Sequence, residues 1–265
     1  MKSVLVTGAS GGMGAAICAR LLRSGYAVWG LDRREGNGPD GLRFIRCDVT
    51  QPDSVAAAFE AVSGETDDLD AIIHTAGIYD LDSLLEMDEA RFQRIFEVNL
   101  FGVYRVNRAF APMLSSGGRI VIVSSELAPL DPLPFTGIYA VTKGALEKYA
   151  ASLRMEANLL GISVSVVRPG AVQTGLLGDS TRALDAFCAH TRLYACNAER
   201  FRRIVDSVEA RNVSPERVAE RAERVLRARR PRLVYKVNRN PLLLLFNALP
   251  DRLQLFLIGR ILRSR

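Results

Sequence analysis

Tyr139 and Lys143 are the pair of residues in this sequence best suited to proton chemistry. They lie four residues apart in GIYAVTKGALEKYAASL, whose periodicity predicts a helix, so one turn would bring the phenol and the ammonium to the same face. A phenol has a pKa of ~10, and a positive charge about 5 Å away at an effective dielectric of about 20 would lower it by roughly two units. We therefore expect Lys143 to tune Tyr139 for proton exchange with an alcohol or ketone near neutral pH.

By itself this spacing is typical of a solvated helix surface, and a second motif upstream changes its interpretation. The apolar segment from Val4 to Val6 runs into TGASGGMG, and an amphipathic segment follows. Gly8, Gly12 and Gly14 have the spacing of a turn that brings backbone amides and a helix N-terminus onto a pyrophosphate. A second apolar segment ends at Asp32, where a carboxylate can accept hydrogen bonds from ribose hydroxyls. Together these features predict a dinucleotide site.

Short apolar segments alternate with longer periodic segments along the chain, which is typical of βαβ units. The further predicted strands are LRFIRC, LDAIIHTAG, GRIVIVSS, ISVSVVRPG and PRLVYKV. Helical periodicity runs through PDSVAAAFEAV, DEARFQRIFEVNLFGVYRVNRAFAPML and YAVTKGALEKYAASLRMEANLL, with Pro52, Asp88 and Gly161 as start or stop signals. The pattern predicts an α/β protein with a seven-stranded, doubly wound parallel sheet.

These motifs resemble those of the short-chain dehydrogenase/reductase family in its short, single-domain form. In the family's order the chain carries TGASGGMG, Asn99, Ser125, Tyr139-x-x-x-Lys143 and Pro169-Gly170. The resemblance extends from about Lys2 to Lys236 and implies a Rossmann fold with helices on both faces of the sheet. We expect one domain over residues 1–240, with a substrate lid at about 175–212, and an apolar and basic helical extension over 241–265.

The resemblance also implies four catalytic residues. Tyr139 would exchange the proton, and Lys143 would lower its pKa and bind the nicotinamide ribose. Ser125 would hydrogen-bond the substrate oxygen, while Asn99 would hold a water that links to the lysine. Ser124 is the alternative to Ser125, because the segment between serine and tyrosine is one residue longer than the family's usual count.

A set of dinucleotide contacts follows from the same resemblance. The residues expected to make them are Gly8, Ser10, Gly12, Met13, Gly14, Asp32, Arg33, Asp48, Val49, Ala76, Gly77, Tyr139, Lys143, Pro169, Gly170, Val172 and Thr174. Asp32 favours NAD, because a carboxylate repels the extra phosphate of NADP. Arg33 would instead bind that phosphate, so NADP is compatible with the sequence; alternatively, Arg33 and Arg34 are solvated turn charges.

The fourth predicted strand departs from the family, because His74-Thr75 stands where relatives usually have two asparagines. A histidine beside a buried strand is more often a packed, hydrogen-bonded core group than a catalytic one. We therefore expect His74 to belong to the core.

The implied activity is hydride transfer between a nicotinamide cofactor and a secondary alcohol or ketone. The lid segment suggests an apolar lining, because it carries Leu176, Leu177, Leu184, Phe187, Leu193 and Tyr194. These side chains could equally pack the lid on the core. The hydrophobic, arginine-rich tail resembles those of hydroxysteroid and retinol dehydrogenases, which implies a bulky apolar substrate similar to a steroid or a retinoid. The alternative function is a catalytically silent NAD-binding regulatory protein or a protein at the membrane periphery.

Composition argues against several other classes of protein. The four cysteines and two histidines show no metal-ligand spacing, so we expect no metal site. Met1-Lys2 leads directly into the first strand, so we expect a cytoplasmic, thiol-reduced protein. No interleaving of aromatic and basic residues indicates a nucleic-acid partner. We also expect a homo-oligomer, either a dimer or a tetramer.

Positive charge is concentrated near the end of the chain. From Glu199 to Arg265 there are 17 Lys/Arg and 7 Asp/Glu, a net of +10, while the whole chain carries +6. On a helical projection of the last segment, arginines cluster apart from a broad face that carries Leu253, Leu257, Ile258, Ile261 and Leu262. The arginines are Arg252, Arg260 and Arg263. Such a helix can lie in a membrane interface; alternatively, it covers the substrate pocket or packs in a dimer.

Overall fold

The computed structural model describes residues 1–35, 38–209 and 211–263, without the side chains of residues 176, 177, 179, 196 and 206–209. Within these residues, seven strands form one parallel sheet, as the sequence pattern predicts. They are β1 (Ser3–Thr7), β2 (Ala27–Asp32), β3 (Arg43–Arg46), β4 (Leu69–His74), β5 (Leu114–Val123), β6 (Ser163–Pro169) and β7 (Val234–Val237). Their order is β3-β2-β1-β4-β5-β6-β7, so the winding reverses between β1 and β4. Loops diverge at such a point and leave a crevice at the carboxyl ends of the strands.

Helices cover both faces of the sheet, which confirms the doubly wound Rossmann architecture. The helices up to the middle of the chain are α1 (Gly12–Arg23), α2 (Pro52–Ser63), α3 (Glu89–Phe96), α4 (Gly102–Phe110) and α5 (Gly137–Asn158). The later helices are α6 (Gly175–His190), α7 (Ala195–Glu209), α8 (Pro215–Arg227), α9 (Pro241–Asn247) and α10 (Asp251–Leu262). One core layer takes Val55, Val103 and Leu146 from α2, α4 and α5, and the other takes Ile17 and Val218 from α1 and α8. Burial of each such side chain contributes about 2 kcal/mol.

The predicted boundary signals act at the ends of these helices. Pro52 is the first residue of α2, where its missing N–H costs nothing. The side chain of Asp88 accepts a hydrogen bond from the backbone N–H of Ala90 at 2.8 Å and so caps α3. Gly161 follows α5 with a φ of +72°, a conformation that favours glycine.

A π-helical turn interrupts the single helix that the sequence predicts after Asp88. Glu97–Phe101 forms this turn between α3 and α4, and a short 3-10 turn, Ala111–Met113, leads into β5. Asn99 lies inside the π-turn, where its side-chain amide would otherwise compete with regular helix hydrogen bonds. The interruption therefore occurs at the residue that is least suited to a helix interior.

The predicted lid and tail segments are both helical, and they pack on each other. α6 and α7 follow β6, and α10 packs on α7, where the Asn197 amide donates to the carbonyl oxygen of Leu262 at 2.6 Å. A small separate core joins the two segments through Leu81, Leu184, Phe187, Phe201 and Leu262. Among the described residues, none of the helices combines the length and the apolarity that crossing a bilayer requires.

The predicted apolar face of the tail is divided between two environments. Ile258 and Leu262 pack against the lid, whereas Leu253 and Ile261 are exposed. The apolar residues that the helical projection groups together are therefore only partly covered by the protein. Part of the apolar surface of the tail packs on α7, and the rest is exposed to solvent.

Candidate active site

A cleft of about 1170 Å³ lies at the carboxyl ends of the strands, over the point where the sheet order reverses. Most residues expected to contact a dinucleotide border it. They are Gly8, Ser10, Gly12, Met13, Gly14, Asp32, Arg33, Asp48, Val49, Ala76, Gly77, Tyr139, Lys143 and Thr174. Pro169, Gly170 and Val172 border a second cavity beside it instead.

The glycine turn after β1 is packed too tightly for side chains. Gly8 has a φ of +70°, and a Cβ there would lie 2.6 Å from the backbone nitrogen of Ala76. A Cβ on Gly14 would lie 2.7 Å from the hydroxyl oxygen of Thr75. That hydroxyl donates to the carbonyl oxygen of Thr7 at 2.7 Å and so ties the end of β4 to the turn. The turn therefore brings bare backbone and the N-terminus of α1 to the floor of the cleft, as a pyrophosphate requires.

Asp32 is held rigidly at the end of β2. Its two carboxylate oxygens accept backbone hydrogen bonds from Ser10 at 3.0 Å and from Arg34 at 3.1 Å. The Ser10 hydroxyl donates to the carbonyl oxygen of Arg34 at 2.9 Å. These bonds join the glycine turn to the second strand and fix a carboxylate at the edge of the cleft.

Asp48 is the second carboxylate in the cleft, and it lies among positive charges. Burial raises its pKa, but hydrogen bonds from the backbone and hydroxyl of Thr50 and the charges of Arg33 and Arg94 outweigh that effect and hold the pKa below its usual value. The Thr50 bonds are 2.9 and 2.7 Å long. Asp48 is therefore ionised and can accept a hydrogen bond at neutral pH.

Tyr139 and Lys143 lie on α5 and are buried at the inner end of the cleft. They are 6% and 5% exposed, so the surface-pair interpretation is excluded. The Lys143 Nζ lies 5.6 Å from the centre of the Tyr139 ring and donates to the carbonyl oxygen of Val123 at 3.3 Å. The ring of Tyr79 packs on Tyr139, with their centres 4.8 Å apart.

The prediction that Lys143 moves the pKa of Tyr139 toward neutrality is wrong. Burial raises the pKa of Tyr139 to about 12, and a hydrogen bond with Ser125 opposes the rise only in part. Burial also lowers the pKa of Lys143 to about 8, against the opposing charge of Glu147. The simple estimate counted the attraction between the two groups but not the loss of water around each of them.

The two serines at the end of β5 have different environments. Ser125 hydrogen-bonds Tyr139, and its Oγ accepts from the backbone N–H of Leu127 at 3.2 Å. The Oγ of Ser124 is buried and has no hydrogen-bond partner among the described residues. The geometry therefore brings Ser125, and not Ser124, to the phenol.

Asn99 is fully buried and borders neither cavity among the described residues. Its Oδ1 accepts from the backbone N–H of Ile78 at 2.8 Å, and its Nδ2 donates to the carbonyl oxygen of Ile78 at 3.0 Å. Nδ2 also lies 3.2 Å from the Thr142 hydroxyl. The amide thus fixes the strand-end loop to α5 at the residue just before Lys143.

His74 is a core group, as its position on a buried strand predicts. Its Nε2 lies 2.8 Å from the Oδ1 of Asn107, and the amide of Asn107 donates to the Tyr149 hydroxyl at 3.1 Å. Burial lowers the pKa of His74 to about 4, with the Asn107 hydrogen bond opposing. The ring is therefore neutral at neutral pH.

Comparison with known proteins agrees with this geometry. The family model for short chain dehydrogenases matches residues 2–185. The chain belongs to the short-chain dehydrogenase family. Members of this family use a nicotinamide dinucleotide, NAD or NADP, and the cleft described above is the site that fits it.

Individual relatives resemble this family member over most of its length. Estradiol 17-beta-dehydrogenase 2 from Mus musculus is 34% identical over 192 residues, which cover 67% of this chain and 50% of the relative. The chain thus aligns with about half of that relative. The 3-oxoacyl-acyl-carrier-protein reductase MabA from Mycobacterium avium is 34% identical over 186 residues, 69% of this chain and 71% of the relative. A solved short-chain dehydrogenase from Streptomyces avermitilis has a TM-score of 0.77 at 25% identity and covers 93% of this chain and 90% of its own.

This protein has a second, apolar cavity of about 140 Å³ beside the cleft. Tyr139 and Ser124 border both spaces, and Ser125 borders the apolar one. The lid residues around it are not those expected: Leu184, Phe187, Leu193 and Tyr194 do not border this cavity. Leu184 and Phe187 are core residues, and Leu193 is exposed. The side chains of Leu176 and Leu177 lie outside the described residues.

Several residues of this short-chain dehydrogenase border the site without having been singled out in the sequence. From the lid and tail, the apolar cavity is lined by Ser180, Phe201, Ile204, Val205 and Leu243. Tyr79, Arg94 and Arg182 border the cleft. None of them belongs to a local motif, so only their position in the fold reveals them. Within the described part of the chain, no three His, Cys, Asp or Glu side chains converge as a metal site.

Proposed function

We propose that this protein is an oxidoreductase that transfers a hydride between a nicotinamide cofactor and a secondary alcohol or ketone. One observation carries the proposal. The phenol of Tyr139, hydrogen-bonded to Ser125, borders both a dinucleotide-sized cleft and an apolar cavity. A proton donor at the junction of a cofactor site and a substrate site is what carbonyl reduction requires.

The residues of the chain supply proton transfer and orientation. The chemistry that a bound nicotinamide supplies is hydride transfer. Tyr139, protonated at neutral pH, donates its proton to a carbonyl oxygen in the reducing direction and recovers it in the oxidising direction. Ser125 donates a hydrogen bond to the same oxygen and stabilises the charge that develops there. Lys143 places a positive charge next to the phenol and would hydrogen-bond the ribose of a bound cofactor. Asn99 holds the loop at Ile78 beside these groups.

We propose NAD as the preferred cofactor. Asp32 has both oxygens fixed by backbone N–H groups, so its charge cannot move away from a 2′-phosphate. Arg33 is near enough to Asp48 to lower its pKa, which leaves its charge partly compensated. We expect kcat/KM to be higher with NAD than with NADP. Asp32→Asn should lower the ratio of kcat/KM with NAD to kcat/KM with NADP, and Arg33→Ala should raise this ratio. A wild-type protein that prefers NADP would contradict the assignment.

The substrate class that fits the second cavity is apolar. A space of about 140 Å³ is small for a steroid-sized molecule, since sites for drug-sized ligands typically measure about 300–1,000 Å³. We therefore propose that a bulky substrate enters as the lid over 175–212 moves outward from the rest of the domain, which spans residues 1–240. A small apolar ketone would need no such movement.

The decisive test is the change in reduced-nicotinamide absorbance over a panel of apolar ketones and alcohols, with Tyr139→Phe as the critical variant. Loss of the proton donor should lower kcat by about 10²–10⁴-fold. Dinucleotide binding, followed by fluorescence, serves as the control, since the glycine turn is unchanged. Full turnover in Tyr139→Phe would contradict the mechanism. Dinucleotide binding without turnover of any compound would favour a silent regulatory protein.

A second proposal concerns the tail over 241–265, which we infer contacts an anionic membrane surface. Its helices carry exposed apolar side chains beside exposed arginines, the pattern of an interfacial helix. The exposed apolar residues are Leu242, Leu245, Leu253, Leu255, Phe256 and Ile261. Leu243 of the same tail borders the apolar cavity. This contact also supports the alternative that the tail covers the substrate pocket.

We further propose a homo-oligomer, a dimer or a tetramer, formed through α5 and the π-turn that packs on it. Apolar side chains stand exposed on these elements and next to them. They are Phe101 of the π-turn, Tyr104 of α4, Val141 and Met155 of α5, and Leu159 and Leu160 just after α5. Such a concentration is unusual for a monomer surface.

A further inference from the structure

Glu126 is a carboxyl group in the wall of the apolar cavity, immediately after Ser125 in the chain. It is 9% exposed, and no ion pair holds it among the residues that the structure describes. Its Oε2 accepts a hydrogen bond from the backbone N–H of Asn240 at 2.7 Å. No hydrogen bond reaches its Oε1 from the described part of the chain. A carboxylate oxygen in the cavity wall that has no donor among the described residues can accept a hydrogen bond from a ligand.

The position of Glu126 is fixed by the fold. Its backbone N–H donates to the carbonyl oxygen of Pro169 at 2.8 Å, and Asn240, which holds the carboxylate, also caps α9 by accepting from the N–H of Leu242 at 2.9 Å. The Oε1 lies beside Gly170, only 2.8 Å from where a Cβ on that glycine would be. Gly170 itself borders the cavity. The free oxygen is thus presented at the cavity wall by two anchored segments.

Glu126 also differs in chemistry from everything else that borders the cavity. It is the only carboxyl group among the described lining residues, whose other members are apolar, hydroxyl-bearing or glycine. Burial raises the pKa of Glu126, with the Asn240 hydrogen bond and the charge of Arg239 opposing. As a carboxylate, Glu126 can use Oε1 to accept a hydrogen bond from a ligand donor. An apolar pocket with one such group selects by the position of a polar substituent.

We propose that Glu126 is a specificity-determining residue that binds a second hydrogen-bond donor on the substrate, a hydroxyl or an amine separate from the reacting oxygen. The preferred substrate class is then an apolar ketone or alcohol that carries such a donor. The inference rests on the proposed function, because it concerns the substrate of the same site. A site that holds a substrate hydroxyl by a buried polar group discriminates strongly against analogues without it.

The test compares kcat/KM for alpha-tetralone, its ring-hydroxylated isomers and the matching methoxy compounds, in wild type and in Glu126→Gln. In wild type, at least one hydroxylated isomer should exceed the parent ketone by at least about tenfold, and its methoxy counterpart should not. Glu126→Gln keeps an acceptor for the N–H of Asn240 but replaces Oε1 with an NH2 group, which cannot accept from the substrate hydroxyl, so the hydroxyl preference should shrink by about tenfold. Glu60→Gln, an exposed substitution on α2, should leave that preference as it is in wild type.

The possible results separate the inference from the function on which it rests. Equal losses for parent and hydroxylated ketones in Glu126→Gln would mean that Glu126 only supports the fold, and they would overturn the inference. A wild-type preference that the methoxy compounds share would overturn it without any variant. Wild-type protein that turns over none of the ketones or alcohols would overturn the proposed function, and the inference with it.

Discussion

The pKa values of the two groups proposed for proton transfer, Tyr139 and Lys143, depend more on burial than on the attraction between the two side chains. Tyr139 and Lys143 lose most of their contact with water, so the phenol stays protonated and the amine is only weakly basic. The hydrogen bond with Ser125 lowers the pKa of the phenol and so favours the phenolate. A small change at this serine should therefore have a large effect on proton transfer.

The two serines at the end of β5 offer a matched pair of variants. Ser125→Ala removes the partner of the phenol and should lower kcat by about 10²–10³-fold, the usual effect of losing one donor to a developing oxyanion. Ser124→Ala removes a hydroxyl that has no partner among the described residues, so we expect a much smaller loss. The measurement is kcat for both variants with one apolar ketone. A larger loss in Ser124→Ala than in Ser125→Ala would make Ser124 the catalytic serine.

The buried histidine predicts how stability depends on pH. The pKa of His74 is about 4 in the folded protein and ~6.5 when unfolded, so between these values the unfolded chain binds the additional proton. Stability from this group is fully present above pH ~6.5 and decreases as pH falls to about 4, by roughly 3 kcal/mol. Urea unfolding at a series of pH values should show this decrease, and His74→Gln should reduce it.

At the level of elements, the parts of the site that sequence could predict are those encoded locally. The glycine turn, Asp32 and the Tyr139–Lys143 turn each depend on residues a few positions apart within one βα or helical segment. The apolar cavity is different, because Phe201 and Leu243 reach it from α7 and α9, which come far later in the chain than β5. Helical periodicity indicates that these helices have an apolar face, but not which neighbour covers it.

The lid is attached at its own turn by one carboxylate. Glu86 accepts hydrogen bonds from the Thr191 hydroxyl at 2.6 Å and from the backbone N–H groups of Arg192 and Leu193 at 2.8 and 3.1 Å. These three donors lie between α6 and α7, where a mobile lid would bend. The attachment therefore couples the lid to the loop that follows β4.

Removal of this attachment should loosen the lid without unfolding the sheet. We expect Glu86→Ala to speed proteolytic cleavage between α6 and α7 several-fold and to change KM for a bulky ketone more than for a small one. Glu60→Ala, on the exposed face of α2, is the control. Unchanged cleavage in Glu86→Ala would show that the packing of Phe187 and Phe201 is sufficient to hold the lid.

At the scale of the whole molecule, two exposed apolar surfaces are proposed to contact different partners, a second copy of the chain and an anionic membrane. One lies on α5 and the π-turn, and the other lies on the tail among arginines. Leu159 and Leu255 are 85% and 73% exposed, so replacing either should leave the fold intact. Each surface can thus be changed separately.

These two leucines allow the oligomer and membrane proposals to be tested against each other. Leu159→Glu should reduce the molar mass measured by light scattering while flotation with anionic liposomes persists. Leu255→Glu should reduce flotation while molar mass is retained, because it places a negative charge among the tail arginines. If Leu255→Glu lowered molar mass and left flotation unchanged, the tail would be an interface between copies of the chain.

The π-turn at Glu97–Phe101 has a further consequence for how this chain tolerates change in length. A π-turn accommodates one more residue than the α-helical path it replaces, and each residue of an α-helix turns the chain by about 100°. Deleting one residue of the π-turn would restore that α-helical path, so that Val106 and Phe110 would keep their places in the hydrophobic layer they now fill. Deleting one residue at the start of α4 would instead rotate both side chains away from that layer, so the same edit should be far more damaging there than a few residues earlier.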